Sequence, residues 1–159
     1  MPNPALRPAT ADDAEAIATI WHDGWRDGHL GNVPEALLAA RTPDSFRSRA
    51  ADRTADTTVA VLHDRIAGFV MVAKDEVEQV YVAADHRGSG VAGLLLAEAE
   101  RLVAANGERR AWLAVVAGNE RARRFYQRNG WIDEGPFEYA AATADGTVAV
   151  PAHRYIKEV

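Results

Sequence analysis

Residues Asp85 to Leu102 read DHRGSGVAGLLLAEAERL, a glycine-rich turn that runs without pause into an apolar helical stripe. Gly88, Gly90 and Gly93 remove side chains where the chain turns, so backbone N–H groups can approach a ligand that bulkier residues would hold away. Val91, Leu94, Leu95, Ala99, Leu102 and Val103 recur at three- and four-residue spacing, with Glu98, Glu100 and Arg101 off the stripe. That periodicity predicts a helix that opens at the turn and stops at Asn106-Gly107. The first amides of a helix lack intrahelical acceptors and carry the positive end of its dipole, so their natural guest is an anion, most often phosphate.

Two familiar phosphate loops fit this segment badly. A P-loop needs Lys-Ser or Lys-Thr after its last glycine, and here Gly93 precedes Leu94-Leu95. Residues Gly88 to Gly93 do spell GxGxxG, yet a dinucleotide fingerprint belongs near the start of a repeated strand-helix series, and this turn lies past the middle of the chain. An ordinary tight turn before a core helix remains the plain alternative. Ser89 lacks the GxSxG context of a serine hydrolase.

A third match covers more of the chain. Arg87-Gly88-Ser89-Gly90-Val91-Ala92 follows the strand-like run EVEQVYV, Glu76 to Val82. Together they resemble the pyrophosphate loop of the GNAT N-acetyltransferase superfamily, written Gln or Arg, two residues, Gly, one residue, Gly or Ala. Further on, AVVAGNERARRFYQRNGW, Ala114 to Trp131, is similar to that family's second signature: a strand, an Asn, a helix carrying Ala and Phe-Tyr, then Gly and an aromatic. The resemblance runs from about Leu6 to Trp131. It implies a mixed α/β (α+β) GNAT fold, with a mostly antiparallel central sheet whose parallel middle strands splay, flanked by helices. It also implies acetyl-CoA as cosubstrate. The amides of Arg87, Gly88, Ser89, Gly90, Val91 and Ala92 would then hold its pyrophosphate, Val80, Tyr81 and Val82 would pair with its pantetheine arm, and Asn119 would contact that arm.

Length and composition bound the remainder. At 159 residues the chain suits one domain, read as residues 1–159. The absence of cysteine excludes disulfides, thiolate metal sites and a cysteinyl acyl-enzyme. No apolar run reaches the ~20 residues of a membrane span, and the N-terminus lacks the basic-then-apolar order of a signal peptide, so a soluble cytoplasmic protein is expected. A net charge of -5 argues against non-specific nucleic-acid binding. The five histidines show no metal-ligand spacing. Homodimerisation, common in the family, is left open, because no stripe commits to an interface.

The expected elements alternate. Leu6 to Pro8 reads as an edge strand, and Thr10 with Asp13 as a cap for a helix carrying Ile17, Ile20, Trp21 and Trp25, broken at Gly28 to Pro34. Helical stretches at Pro34 to Arg41 and Pro43 to Arg53 follow. Strands are expected at Thr57 to Leu62, Ile66 to Ala73, Glu76 to Val82 and Ala111 to Val116, with a last hairpin of Trp131 to Tyr139 and Thr147 to Ile156.

Acetyl transfer to an amine needs a base for the ammonium proton, a donor for the thioester oxygen and an acid for the departing thiolate. Tyr126 matches the family's Phe-Tyr pair and is the candidate acid; its alternative role is a core aromatic. Strict alternation puts Glu76, Glu78, Val80 and Val82 on one face of their strand and Val77, Gln79 and Tyr81 on the other, so Glu76 and Glu78 are the candidate bases, or else two solvated carboxylates. Asn119 is equally an N-cap. Arg123 is a candidate phosphate contact, or a solvated helix residue. Trp21, Trp25 and His29 recur along one helix as a candidate acceptor wall, and equally as core. These residues suggest a small-molecule amine as the acceptor, with a protein or peptide amine, or a non-catalytic acyl-CoA sensor of the same fold, as the alternatives.

Overall fold

The computed structural model describes residues 3–159, which form a sheet of seven strands in the order β1-β2-β3-β4-β5-β7-β6. Strand β1 (Ala5–Pro8) is the predicted edge. It leads through a capping box, in which Asp13 accepts from the Thr10 amide at 2.7 Å, into helix α1 (Ala14–His29). The helix runs through Gly24 and Gly28 and stops one residue later than its glycine content suggests. Two further helices, α2 (Glu35–Ala40) and α3 (Pro43–Asp52), precede the antiparallel strands β2 (Thr57–Leu62), β3 (Arg65–Ala73) and β4 (Glu76–Val82). The turn between β2 and β3 places His63 and Asp64 at positive φ, the two-residue geometry whose twist matches that of the flanking strands.

Helix α4 (Val91–Ala105) crosses to β5 (Arg110–Val116), α5 (Glu120–Arg128) follows, and the long hairpin β6 (Ile132–Thr143) and β7 (Gly146–Glu158) completes the sheet. Strand β7 inserts beside β5, leaving β6 at the edge. The hairpin extends beyond the predicted Tyr139, and a register shift between Asp133 and Pro136 marks a bulge in β6.

Two cores sandwich the sheet. On one face Val91, Leu95, Leu96, Ala99 and Val103 of α4 pack on Val70, Val77, Leu113 and Tyr155, joined by Phe125 and Tyr126 of α5. On the other, Ile17, Trp21 and Trp25 of α1 and Phe46 and Ala50 of α3 pack on Val59, Phe69 and Met71. Trp21 meets Phe46 and Phe69 edge-on at 5.5 and 5.8 Å between ring centroids.

The β4 alternation read from sequence is corrected by the fold. Met71 faces Gln79 and Val72 faces Val77, so β4 carries an extra residue, Glu78, at this point. The bulge flips the pattern midway along the strand. Val77, Val80 and Val82 all pack on the α4 side, whereas Tyr81 packs on the α1 side. Glu76 and Glu78 do share a face, but it is the face of Tyr81 and not that of Val80 and Val82.

Candidate active site

Strands β4 and β5 are the only parallel neighbours among the described strands, and they pair at a single register position, Glu76 opposite Trp112. From there they diverge. The Ala83 amide donates to Ala67 of β3 at 2.8 Å, so alternation turns the backbone of Tyr81 toward β3 and leaves that of Val80 and Val82 facing the gap. Of the three residues expected to pair with an extended arm, two therefore present free N–H and C=O groups. Unpaired strand groups inside a sheet are costly unless something satisfies them.

At the C-terminal end of β4 the chain makes a 3-10 turn and then the glycine loop. Gly88 and Gly90 stand at φ 80 and 89, a left-handed conformation that glycine adopts without strain, and Gly90 caps α4. The amides of Arg87 and Ser89 already donate to Ala84 and His86, both at 3.3 Å. Those of Gly88, Gly90, Val91 and Ala92 have no acceptor among the described residues. They form a nest of N–H groups at the start of a fifteen-residue helix, which is chemistry suited to a diphosphate. The Arg87 guanidinium is drawn to Asp27 of α1 at 2.7 Å, tying the loop to that helix.

The gap opens into a cavity of about 500 Å³ whose walls include Trp25, His29, Arg41, Glu76, Tyr126 and Tyr139. Helix α1 roofs it. A β-carbon at Gly28 would stand 2.6 Å from the Asn119 amide nitrogen, and one at Gly118 would meet the Asn32 side chain at 2.1 Å, so each asparagine side chain lies close against a glycine. Asn119 caps α5 by accepting from the Ala122 amide at 3.2 Å, while its amide group lies against α1 beside the cavity. The cap and the wall are one residue.

Tyr126 lies on α5 with its ring among Phe125, Trp131 and Tyr155, at centroid distances of 5.2 to 6.1 Å. Its hydroxyl makes no hydrogen bond to any described residue, and the side chain lines the cavity. Burial pushes the phenol further up from its ordinary value, so it stays protonated at neutral pH. Core aromatic and cavity hydroxyl are thus compatible roles.

The two carboxylates differ. Glu76 accepts from the Tyr139 hydroxyl at 2.7 Å, and burial, with the neighbouring charge of Glu78 adding to it, raises its pKa despite that bond. Glu78 is ion-paired to Arg53, which also binds Asp56 at 3.1 Å. Burial disfavours the charged form of Glu76, whereas Glu78 is held in an ion pair.

The remaining candidates divide by burial and by partner. Trp25 lines the cavity, stacked on His29 at 4.7 Å between centroids. Trp21 does not: at 1% exposure it is a core residue, and its place in the acceptor wall is withdrawn. Arg123 is withdrawn from the phosphate set as well. Its guanidinium donates to the Tyr155 hydroxyl, the Ala117 carbonyl and the Asp133 carboxylate at 3.1 to 3.2 Å, locking α5 to the last hairpin. Of the hairpin aromatics Trp131, Phe137 and Tyr139, which also read as rings that could enclose an acceptor, only Tyr139 lines the cavity, and Arg41, Arg49 and Arg53 are cavity residues that the sequence reading did not assign. The available signal was the α3 stripe Phe46, Arg49, Ala50 and Arg53, at spacing i, i+3, i+4 and i+7, which sets two arginines on a core-facing row.

Comparison with known proteins agrees with this geometry. The acetyltransferase (GNAT) family matches residues 15–131. An uncharacterised N-acetyltransferase of Mycobacterium tuberculosis is 30% identical over 112 residues, covering 65% of this chain and 72% of that protein. Among solved structures, a GCN5-related N-acetyltransferase from Rhodopseudomonas palustris superposes with a TM-score of 0.76 at 22% identity, covering 100% of this chain and 98% of that one. The PaiA N-acetyltransferase from Thermoplasma acidophilum, solved in complex with coenzyme A, gives a TM-score of 0.70 at 16% identity over 99% and 100% of the two chains. No helix among the described residues is long and apolar enough to cross a membrane. With the splayed strands, the glycine loop and the Asn-Phe-Tyr helix in the family's order, and the family match spanning most of its length, the chain belongs to the GNAT family of acetyltransferases.

Proposed function

We propose that the protein transfers the acetyl group of acetyl-CoA to the primary amine of a small molecule, by direct attack in a ternary complex. The observation that carries this reading is the single-pair contact of β4 with β5, which leaves Val80 and Val82 unpaired beside the free Tyr126 hydroxyl. The residues present fit the cosubstrate: four free loop amides face where a pyrophosphate would sit, and unpaired strand groups face where its amide-bearing arm would lie. Acetyl-CoA supplies an acetyl group already activated as a thioester. A neighbour from Salmonella typhimurium, YncA, was solved with acetyl-CoA and shares the fold at a TM-score of 0.70.

The chain's own groups then have distinct tasks. Glu76, raised by burial and oriented by Tyr139, takes a proton from the acceptor ammonium, directly or through water. Glu78, fixed by Arg53, holds negative charge beside it. The Val80 N–H, turned into the gap, is placed to donate to the thioester oxygen as charge gathers there. Tyr126 gives its proton to the departing sulfur. Trp25, His29 and Tyr139 bound an acceptor space within the range usual for small ligands, with α1 as its roof.

The test is Tyr126→Phe. Acetyl-CoA affinity by calorimetry should be retained, while turnover, followed by thiol release over a broad amine panel, should fall roughly 10²-fold. Equal turnover would return Tyr126 to the core. Tight acetyl-CoA binding with no amine acetylated by the unmodified protein would favour the sensor reading.

A further inference from the structure

The described chain has three buried side-chain polar atoms without a hydrogen-bond partner: Arg41 Nε, Arg49 Nη1 and Trp21 Nε1. All three are donors. The Arg49 guanidinium stacks 4.2 Å from the Trp21 ring, and Arg41 is near enough for its charge to act on Arg49. Arg41, at the C-terminal end of α2, is only 8% exposed. Both arginines line the acceptor cavity, and neither has a carboxylate within 4 Å among the described residues.

The acids around the cavity are engaged elsewhere. Glu78 pairs with Arg53, Glu76 accepts from Tyr139, and Asp52 lies exposed at the C-terminal end of α3. Burial lowers the pKa of both arginines, that of Arg49 to about 10, and Arg41 adds a like-charge push on Arg49. Both nevertheless stay cationic at neutral pH. Two cations held near one another, Arg41 buried and Arg49 half-buried, with no anion supplied by the described chain, are an expensive arrangement for a structure to maintain on its own. The cost is offset if a ligand brings the anion. That ligand must be acceptor-only and match a guanidinium fork, which describes a carboxylate. Acetyl-CoA does not meet the need here, because its phosphates belong at the glycine loop.

We propose that the acceptor is an amino acid-like molecule, whose amine lies toward Glu76 and whose carboxylate is bound by Arg41 and Arg49. The amine half of this statement rests on the acetyl-transfer reading. The carboxylate half rests on the unpartnered donors alone.

Two measurements separate these halves. The first compares amino acids with their decarboxylated amines by thiol release. The carboxylate-bearing member of each pair should be used at least about tenfold more efficiently. Arg41→Gln and Arg49→Gln should each raise KM for it about tenfold with little change in kcat, and Arg49→Lys should recover part of the loss. The second requires no turnover: calorimetric titration with N-acetylated amino acids, the product class, against N-acetylated amines of the same side chain. Selective binding of the acids, lost in the Gln variants, supports the carboxylate site even if acetyl transfer is not seen, in which case the acetyl-transfer reading alone fails. Equal binding of acids and neutral amides, or preferred acetylation of the decarboxylated amines, overturns the proposal. The melting temperature of Arg41→Met guards against a purely structural role. Removing a stranded cation should leave it unchanged or raise it, and a fall, with the carboxylate preference intact, would show that the guanidinium supports the fold instead.

Discussion

At the scale of single residues, His29 shows how burial sets chemistry. Its Nδ1 lies 2.8 Å from the Trp25 carbonyl, which can only accept, so Nδ1 carries the proton and Nε2 keeps its lone pair. Burial against Trp25 lowers its pKa from 6.5 to about 4, the carbonyl bond pulls the other way, and the charge of Arg41 adds to the lowering. Between those two values the unfolded chain binds a proton that the folded chain refuses, so stability rises with pH across that window. It is fully present above 6.5 and lost as pH falls toward 4, by at most roughly 3 kcal/mol. Asp13, lowered to about 2 by its bond to Arg7, acts in a separate and more acidic window, while Glu76, raised by burial, has the opposite sign above 4.5. Comparing melting temperature against pH for the unmodified protein and His29→Gln isolates the histidine: the variant should lose the upward slope between pH 4 and 6.5, and an identical slope would count against a buried neutral imidazole. What sequence could reveal at this scale was uneven. The turn and helix start of the glycine loop and the place of Tyr126 on α5 were legible because they depend on local order. Trp21 and Trp25 were indistinguishable, because four residues along one helix separate a core ring from a cavity wall only by how the helix sits on the sheet. Arg41 and Arg49 were left out of the site for the same reason.

At the scale of elements, α1 and β4 are fitted to one another through positions that sequence marks only faintly. A β-carbon on Gly24 would stand 2.4 Å from Cδ1 of Tyr81, a ring held in turn by Phe69 at 5.9 Å between centroids. Helix propensity alone favours alanine over glycine in a helix interior by about 1 kcal/mol. Gly24→Ala should nonetheless destabilise the protein in urea, because α1 or the Tyr81 ring must move; a gain in stability would show that the ring yields freely. The bulge at Glu78 is a second fitted feature. The element boundaries of β4 were read correctly from β-branched composition and flanking turns, yet a bulge leaves no mark in an apolar–polar pattern already interrupted by Glu76, Glu78 and Gln79. Its effect is large all the same. It allows Glu76, Glu78 and Tyr81 to face the acceptor side while Val77, Val80 and Val82 fill the core beneath α4.

At the scale of the whole molecule, the site is a consequence of topology. Antiparallel pairs hold the sheet together on both sides, and the parallel pair in its middle is nearly unzipped, with helices packed on both faces to keep the halves in place. A free protein of this kind exposes a definite set of backbone groups. In the absence of ligand, the amides of Tyr81 and Ala83 are expected to exchange slowly because they donate into β3, whereas those of Val80, Val82, Gly90, Val91 and Ala92 have no acceptor and should exchange fast unless solvent is excluded. Addition of acetyl-CoA should slow the second group selectively, because the cosubstrate arm would complete the ladder and its pyrophosphate would take the loop amides. Binding at about 100 times Kd should also raise global stability by about 2.7 kcal/mol, which lifts protection of the slowest core amides uniformly and so is distinguished from the local effect. Residue-resolved hydrogen exchange with and without acetyl-CoA makes the comparison. If Val80 and Val82 are already as protected as Tyr81 in the free protein, the gap is closed in solution and the proposed path for the pantetheine arm is wrong; if the loop amides slow while Val80 and Val82 do not, the diphosphate is held as proposed but the arm takes another route.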